Sequence, residues 1–108
     1  MKESFGKYLK NLRVRKEMTL TQLGAKLGID SGALSKIENG KRKLDERVLP
    51  EIAKIFNLDL DELKDEFISE LIAHKIYENN CTDKVLKLAE EKVEYIKQRN
   101  FKQGNLDL

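Results

Sequence analysis

The sequence predicts an all-α protein: five helices closing into a small domain, followed by a C-terminal helical hairpin. Three observations carry this. Apolar residues recur at steps of three and four along most of the 108 residues, and no β-branched alternating run is long enough for a strand. Glycine and proline are scarce, six and one, and stand mostly at punctuation points. Side chains able to cap helices stand at Ser4, Thr19, Asp30, Asp59 and Thr82, ahead of apolar-periodic segments.

The first helix is expected from Ser4 to Glu17. Phe5, Tyr8, Leu9, Leu12 and Arg13 lie near one side, and Lys7, Lys10, Arg15 and Lys16 point outward. Met18 can staple apolar side chains across the next helix start. Thr19 and Gln22 have capping-box spacing, and Leu20, Leu23 and Leu27 share a face, with Gly24 and Ala25 leaving a thin surface. Gly28 stands where a helix needs a left-handed terminator. These signals place the second and third helices over 20–27 and 31–38, with Asp30 capping the latter. Its inward face is Ala33, Leu34 and Ile37, and its outward face Ser31, Gly32, Ser35 and Lys36. Asn39 and Gly40 stop the helix, and Lys41, Arg42 and Lys43 follow at once. Two short helices around a three-to-four-residue turn are what a DNA-binding helix-turn-helix requires.

The fourth helix is expected over about 46–56, with Val48, Leu49, Ile52, Ala53 and Phe56 as its stripe. Pro50 fits only in a first turn, so the start can shift by several residues. Asn57 ends it. Asp59 or Asp61 caps a fifth helix. Leu63, Phe67, Leu71, Ile72 and Ile76 then recur to Tyr77, as a continuation of that helix or as a successor. Asn79 and Asn80 break the pattern, and Thr82 caps a last helix over about 83–99 carrying Val85, Leu88, Ala89, Val93 and Ile96. The expected organisation is a first domain over 1–65, a hairpin over 66–101 and a loose tail over 102–108, apart from docking of Phe101. The hairpin buries little by itself, so it must pack on the first domain or on a second subunit, and the second subunit is the expectation.

The formal net charge of +2 conceals an asymmetry. Residues 1–44 hold 11 Lys/Arg against 4 Asp/Glu, and residues 45–108 hold 10 against 15. A basic first part suits a polyanion, whereas an acidic remainder would be repelled by DNA and suits another task. One cysteine, Cys81, excludes an intrachain disulfide, and one histidine, His74, excludes a zinc finger. No apolar run reaches transmembrane length, and the polar start is not a signal peptide, so a cytoplasmic protein with no membrane contact is expected.

The ordered series Arg13, Met18-Thr19, Leu23, Leu27-Gly28-Ile29-Asp30 and Leu34-Ser35-Lys36-Ile37-Glu38-Asn39-Gly40-Lys41-Arg42 resembles the Cro/C1-type helix-turn-helix family, also called the XRE family. Leu49-Pro50-Glu51-Ile52-Ala53 and Leu58-Asp59-Leu60-Asp61-Glu62-Leu63 extend the resemblance through about residue 65. It implies a lambda-repressor-like domain whose third helix enters the major groove. Base-facing residues would then be Ser31, Gly32, Ser35 and Lys36, with Ala33 near a thymine methyl, and Lys36 able to donate to guanine O6 and N7. Thr19, Asn39, Lys41 and Arg42 correspond to positions near the DNA backbone. Arg13 and Glu38 would form a partly buried pair joining the first helix to the end of the third.

Three departures stand out. Leu20 occupies a position where relatives often carry Gln, Gly24 replaces a usual Ala, and Gly32 removes a side chain from the reading helix. The expected function is a sequence-specific double-stranded DNA-binding transcriptional regulator, a repressor binding a palindromic operator as a homodimer. The alternative is an antitoxin-like or other protein-interaction module, with a partner at the C-terminal half and autoregulatory DNA binding. No enzyme is expected: Cys81 and His74 lack an orienting partner, the carboxylates are scattered, and no phosphate-binding glycine loop exists. No cofactor or metal is implied.

Overall fold

The computed structural model describes the backbone of residues 3–102 and the side chains of residues 3–100. Six α-helices and no strand occur among the described residues: α1 (Phe5–Arg15), α2 (Leu20–Leu27), α3 (Ser31–Glu38), α4 (Leu49–Phe56), α5 (Leu60–Glu78) and α6 (Lys84–Lys102), with a 3-10 turn at Glu46–Val48. The chain divides into two compact units, Met1–Ile72 and Ala73–Leu108.

In the first unit, Phe5, Leu9, Leu23, Leu27, Leu34, Ile37, Leu49, Ile52, Ala53, Leu63 and Phe67 form one core, joined by Leu44 from the loop before the 3-10 turn. Leu9, Leu23, Leu34, Leu49 and Ile52 are fully buried, so truncating any of them to Ala costs about 2–5 kcal/mol. α1 crosses the end of α3 closely because Gly6 has no side chain. A Cβ there would lie 2.9 Å from the Glu38 carbonyl oxygen and would overlap that of Ile37.

α1 stops two residues short of the expected Glu17. Lys16 caps it, Glu17 adopts φ 56°, and the Met18 amide donates back to the Arg13 carbonyl at 3.0 Å. This left-handed exit aims the chain at the Thr19 cap. Lys16, expected as an outward charge, donates to the Ile55 carbonyl at 2.5 Å and sits 5.8 Å from the Phe56 ring centre, tying the ends of α1 and α4. α4 begins at Leu49 and not at residue 46, because Pro50 is tolerated only in the first turn and the preceding residues take a 3-10 form. Asn57 closes α4 at φ 54°. Asp59 caps α5 by accepting from the Glu62 amide at 3.1 Å.

α5 runs unbroken to Glu78, so the segment after Leu63 is a continuation and not a successor. The first unit consequently reaches Ile72, beyond the expected boundary at 65. Phe67 is 8 % exposed and packs edge-on to Phe5 with ring centres 5.3 Å apart, and Glu70 Oε1 accepts from the Phe5 amide at 2.9 Å. With Ser4 Oγ accepting from the Lys7 amide at 3.2 Å, two of the orphan donors at the α1 N-terminus are satisfied.

In the second unit, Asn80 turns the chain at φ 49°, and the Cys81 amide donates to the Ile76 carbonyl at 3.2 Å. α6 starts at Lys84, with the Val85 amide donating to the Thr82 carbonyl at 3.1 Å. Among its described side chains none is buried. Of the tail expected over 102–108, Lys102 is still in α6, and the rest, with the docking of Phe101, lies outside the described residues. No helix among the described residues is long and apolar enough to cross a membrane.

Candidate nucleic-acid interface

α2 and α3 are built by reciprocal local bonds. Thr19 Oγ1 accepts from the Gln22 amide at 3.1 Å, and Gln22 Oε1 accepts from the Thr19 amide at 2.9 Å, a complete capping box. The Thr19 hydroxyl proton and the Gln22 amide group remain as donors at the exposed start of α2. Gly28 ends α2 at φ 70°, and Ile29 donates to the Gly24 carbonyl at 2.9 Å. Gly24 is buried, and a Cβ at that position would overlap the Ile29 carbonyl oxygen. Gly24 is therefore a packing requirement of this turn, and more than an entropic cost. Asp30 Oδ1 then accepts from the Ala33 amide at 2.8 Å and opens α3.

α3 turns Ala33, Leu34, Ile37 and Glu38 inward. Ser31, Gly32 and Lys36 are exposed and Ser35 is half-buried. Ala33 is 7 % exposed, next to Leu34 and beside Ile37 on the inward arc its spacing gave it, so little of its surface is left for the thymine-methyl contact that the resemblance implied. Leu20 packs partly against the core, so its side chain serves the fold. Beyond Asn39, Gly40 at φ 75° lets the Lys41 amide donate to the Lys36 carbonyl at 2.8 Å and the Gly40 amide donate to that of Ile37 at 3.1 Å. This closing motif sets Lys41, Arg42 and Lys43, all exposed, immediately after the outward face of α3.

The pair Arg13–Glu38 forms as expected. Arg13 Nε donates to Glu38 Oε2 at 2.8 Å, Nη2 to Oε1 at 3.0 Å, and Nη1 to the Met18 carbonyl at 2.8 Å. The two side chains are 11 % and 3 % exposed. Hydrogen bonding to Glu38 raises the guanidinium pKa further above its ordinary value, outweighing the burial that lowers it. The fork fixes the exit of α1, the entry to α2 and the end of α3 as one piece.

Downstream, Arg47 Nη2 meets Asp45 Oδ2 at 2.7 Å, and Asp45 Oδ1 accepts from the Arg47 amide at 2.9 Å. The Arg47 side chain and amide hold the Asp45 carboxyl down at about 2. Arg47 thus carries a neutralised charge beside the cluster at Lys41–Lys43. The pair, like the burial of Leu44 and the role of Gly6, escaped sequence reasoning. An Asp two places before an Arg, at the cap of the 3-10 turn, was the available signal.

A capped helix held by a buried ion pair, with an exposed polar outer face flanked by cations, defines a helix-turn-helix DNA-binding protein. A helix-turn-helix family model matches residues 9–63. The chain is 34 % identical over 92 residues to the HTH-type transcriptional repressor RghR of Bacillus subtilis (strain 168), which covers 82 % of this chain and 67 % of that protein. No solved structure matches the chain. The chain belongs to the Cro/C1-type helix-turn-helix family, the XRE family of transcriptional regulators.

Proposed function

We propose that the protein is a sequence-specific repressor that binds a palindromic operator as a homodimer. The observation that carries this reading is the outward face of α3, Ser31, Gly32, Ser35 and Lys36, rigidly presented by the Arg13–Glu38 fork and followed by three exposed cations. Lys36 reads bases through guanine O6 and N7. Ser31 and Ser35 supply short hydroxyl contacts, and Gly32 lets the helix backbone approach the groove. Thr19, Asn39, Lys41 and Arg42 contact the DNA backbone, which positions the helix without specifying sequence. The repressor named among its relatives supports the direction of regulation. With one long side chain reading bases, part of the specificity falls on DNA shape.

Selection of bound duplexes from a random library tests the reading. Enrichment of an inverted repeat with half-site centres about 34 Å apart, one helical turn, is expected. Enrichment of a single asymmetric site would refute the homodimer, and no enrichment at all would refute sequence-specific binding.

A further inference from the structure

The start of α1 is fixed from a distant part of the chain. Ser4 caps the helix locally, and a local cap travels with the helix it closes. Two ties to α5 set its place in the fold. Phe67 packs edge-on to Phe5 with ring centres 5.3 Å apart, and Glu70 Oε1 accepts from the Phe5 amide at 2.9 Å. That bond is charge-assisted and sits at the positive end of the α1 dipole, which makes it stronger than a neutral bond of the same length.

α1 in turn touches α3 at the residues that close it. Gly6 lies against the carbonyls of Ile37 and Glu38, where a Cβ would be 2.9 Å from the Glu38 oxygen. About two turns further along, Arg13 grips the Glu38 carboxylate at 2.8 and 3.0 Å. The Ile37 carbonyl also accepts from the Gly40 amide at 3.1 Å, a bond of the stop that sets Lys41 and Arg42 after the helix. A close-packed interior transmits displacement because it holds no void to absorb it. A shift of the α1 start therefore arrives at the α3 stop. The other end of α3 is capped independently by Asp30.

We propose that Glu70 is a positioning residue for DNA binding. Through the Phe5 amide it fixes α1, and α1 fixes the turn that carries the phosphate contacts of Asn39, Lys41 and Arg42. The inference rests on the reading of α3 and its flanking cations as the DNA-binding face, and it extends the determinants of that face into α5. Glu70 is half-buried, so its truncation leaves the core of the first unit in place.

The test is fluorescence anisotropy of the full chain on a labelled random-sequence duplex, read from about 50 to about 200 mM salt and well below the melting temperature. Glu70→Ala is expected to bind about five-fold more weakly. It is also expected to lower the slope of log affinity against log salt by about 1, the loss of one phosphate contact. Glu70→Gln keeps an oxygen that accepts from the Phe5 amide and is expected to restore both. Ser4→Ala removes a cap on the same helix without cutting the tie to α5. It is expected to lower the melting temperature while leaving affinity and slope at wild-type values. A Glu70→Ala variant that melts earlier yet keeps wild-type affinity and slope would overturn the proposal and leave Glu70 a purely structural group. Equal weakening in Ser4→Ala would also overturn it, since any loosening of α1 would then suffice. A wild type without salt-dependent binding would overturn the DNA-binding reading itself, so the two failures are told apart by which protein fails.

Discussion

Replacing Arg13 with Met would strand Glu38, whose side chain is 3 % exposed, without its two charge-assisted hydrogen bonds and without the guanidinium that also closes the Met18 carbonyl. Removing one member of a buried ion pair costs about 3–5 kcal/mol, because the remaining charge keeps its desolvation penalty. Against a total of about 5–15 kcal/mol for a small domain, Arg13→Met should remove about a fifth or more of the stability of the first unit. Arg13→Met combined with Glu38→Leu removes both charges and should recover most of the loss, giving a coupling of about 2 kcal/mol or more in a double-mutant cycle. Denaturant unfolding followed by methyl NMR of Leu9, Leu34 and Ile52, all fully buried in the first unit, keeps α6 out of the measurement. A loss under about 1 kcal/mol would refute the reasoning, since that is how an exposed pair behaves.

Gly24→Ala should destabilise by about 1–3 kcal/mol, although Ala is the better helix former, because the new methyl meets the Ile29 carbonyl. A stabilised variant in thermal melts would show that the turn yields freely. Lys36→Ala should reduce discrimination between the selected site and random duplex by about 1–3 kcal/mol, and equal weakening on both duplexes would reduce Lys36 to a phosphate contact. Asp45 should titrate near 2 by carboxyl NMR and return toward 3.8 in Arg47→Gln. Its depressed pKa contributes stability that is present above the ordinary value and lost as pH falls through 2. A chain ending at residue 65 lacks Phe67 and Glu70 and should melt well below one ending at residue 80, and equal melting temperatures would place Phe67 outside the effective core.

The helix-turn-helix was legible because its signals are local. Thr19 with Gln22, Gly28, Asp30 and Asn39-Gly40 are caps and stops acting within a few residues, and α2 and α3 span the residues they predict. The Arg13–Glu38 fork, separated by 25 positions, was read from resemblance and stands at bonding distance. Features set by tertiary contact were not legible. Leu44 is buried between charged neighbours with no periodicity to announce it, and Lys16 looks like any outward lysine until the ends of α1 and α4 meet. The boundary at 65 was set where five helices can already close, whereas Phe5 packs edge-on to Phe67 beyond it. Ala33 lies inward, as its spacing with Leu34 and Ile37 predicts, whereas the place near a thymine methyl came from the resemblance alone.

The hydrogen bond from the Phe5 amide to Glu70 joins residues 65 positions apart and has a consequence for synthesis on the ribosome. Chains emerge N-terminus first, at roughly 5–20 residues per second. The first helix is therefore made several seconds before the carboxylate that caps it and the phenyl ring that covers it. Until residue 70 clears the exit tunnel, the start of α1 has only its Ser4 cap, and the binding unit is completed from behind. A nascent chain stalled before that point should be more protease-sensitive at the start of α1 than the released protein.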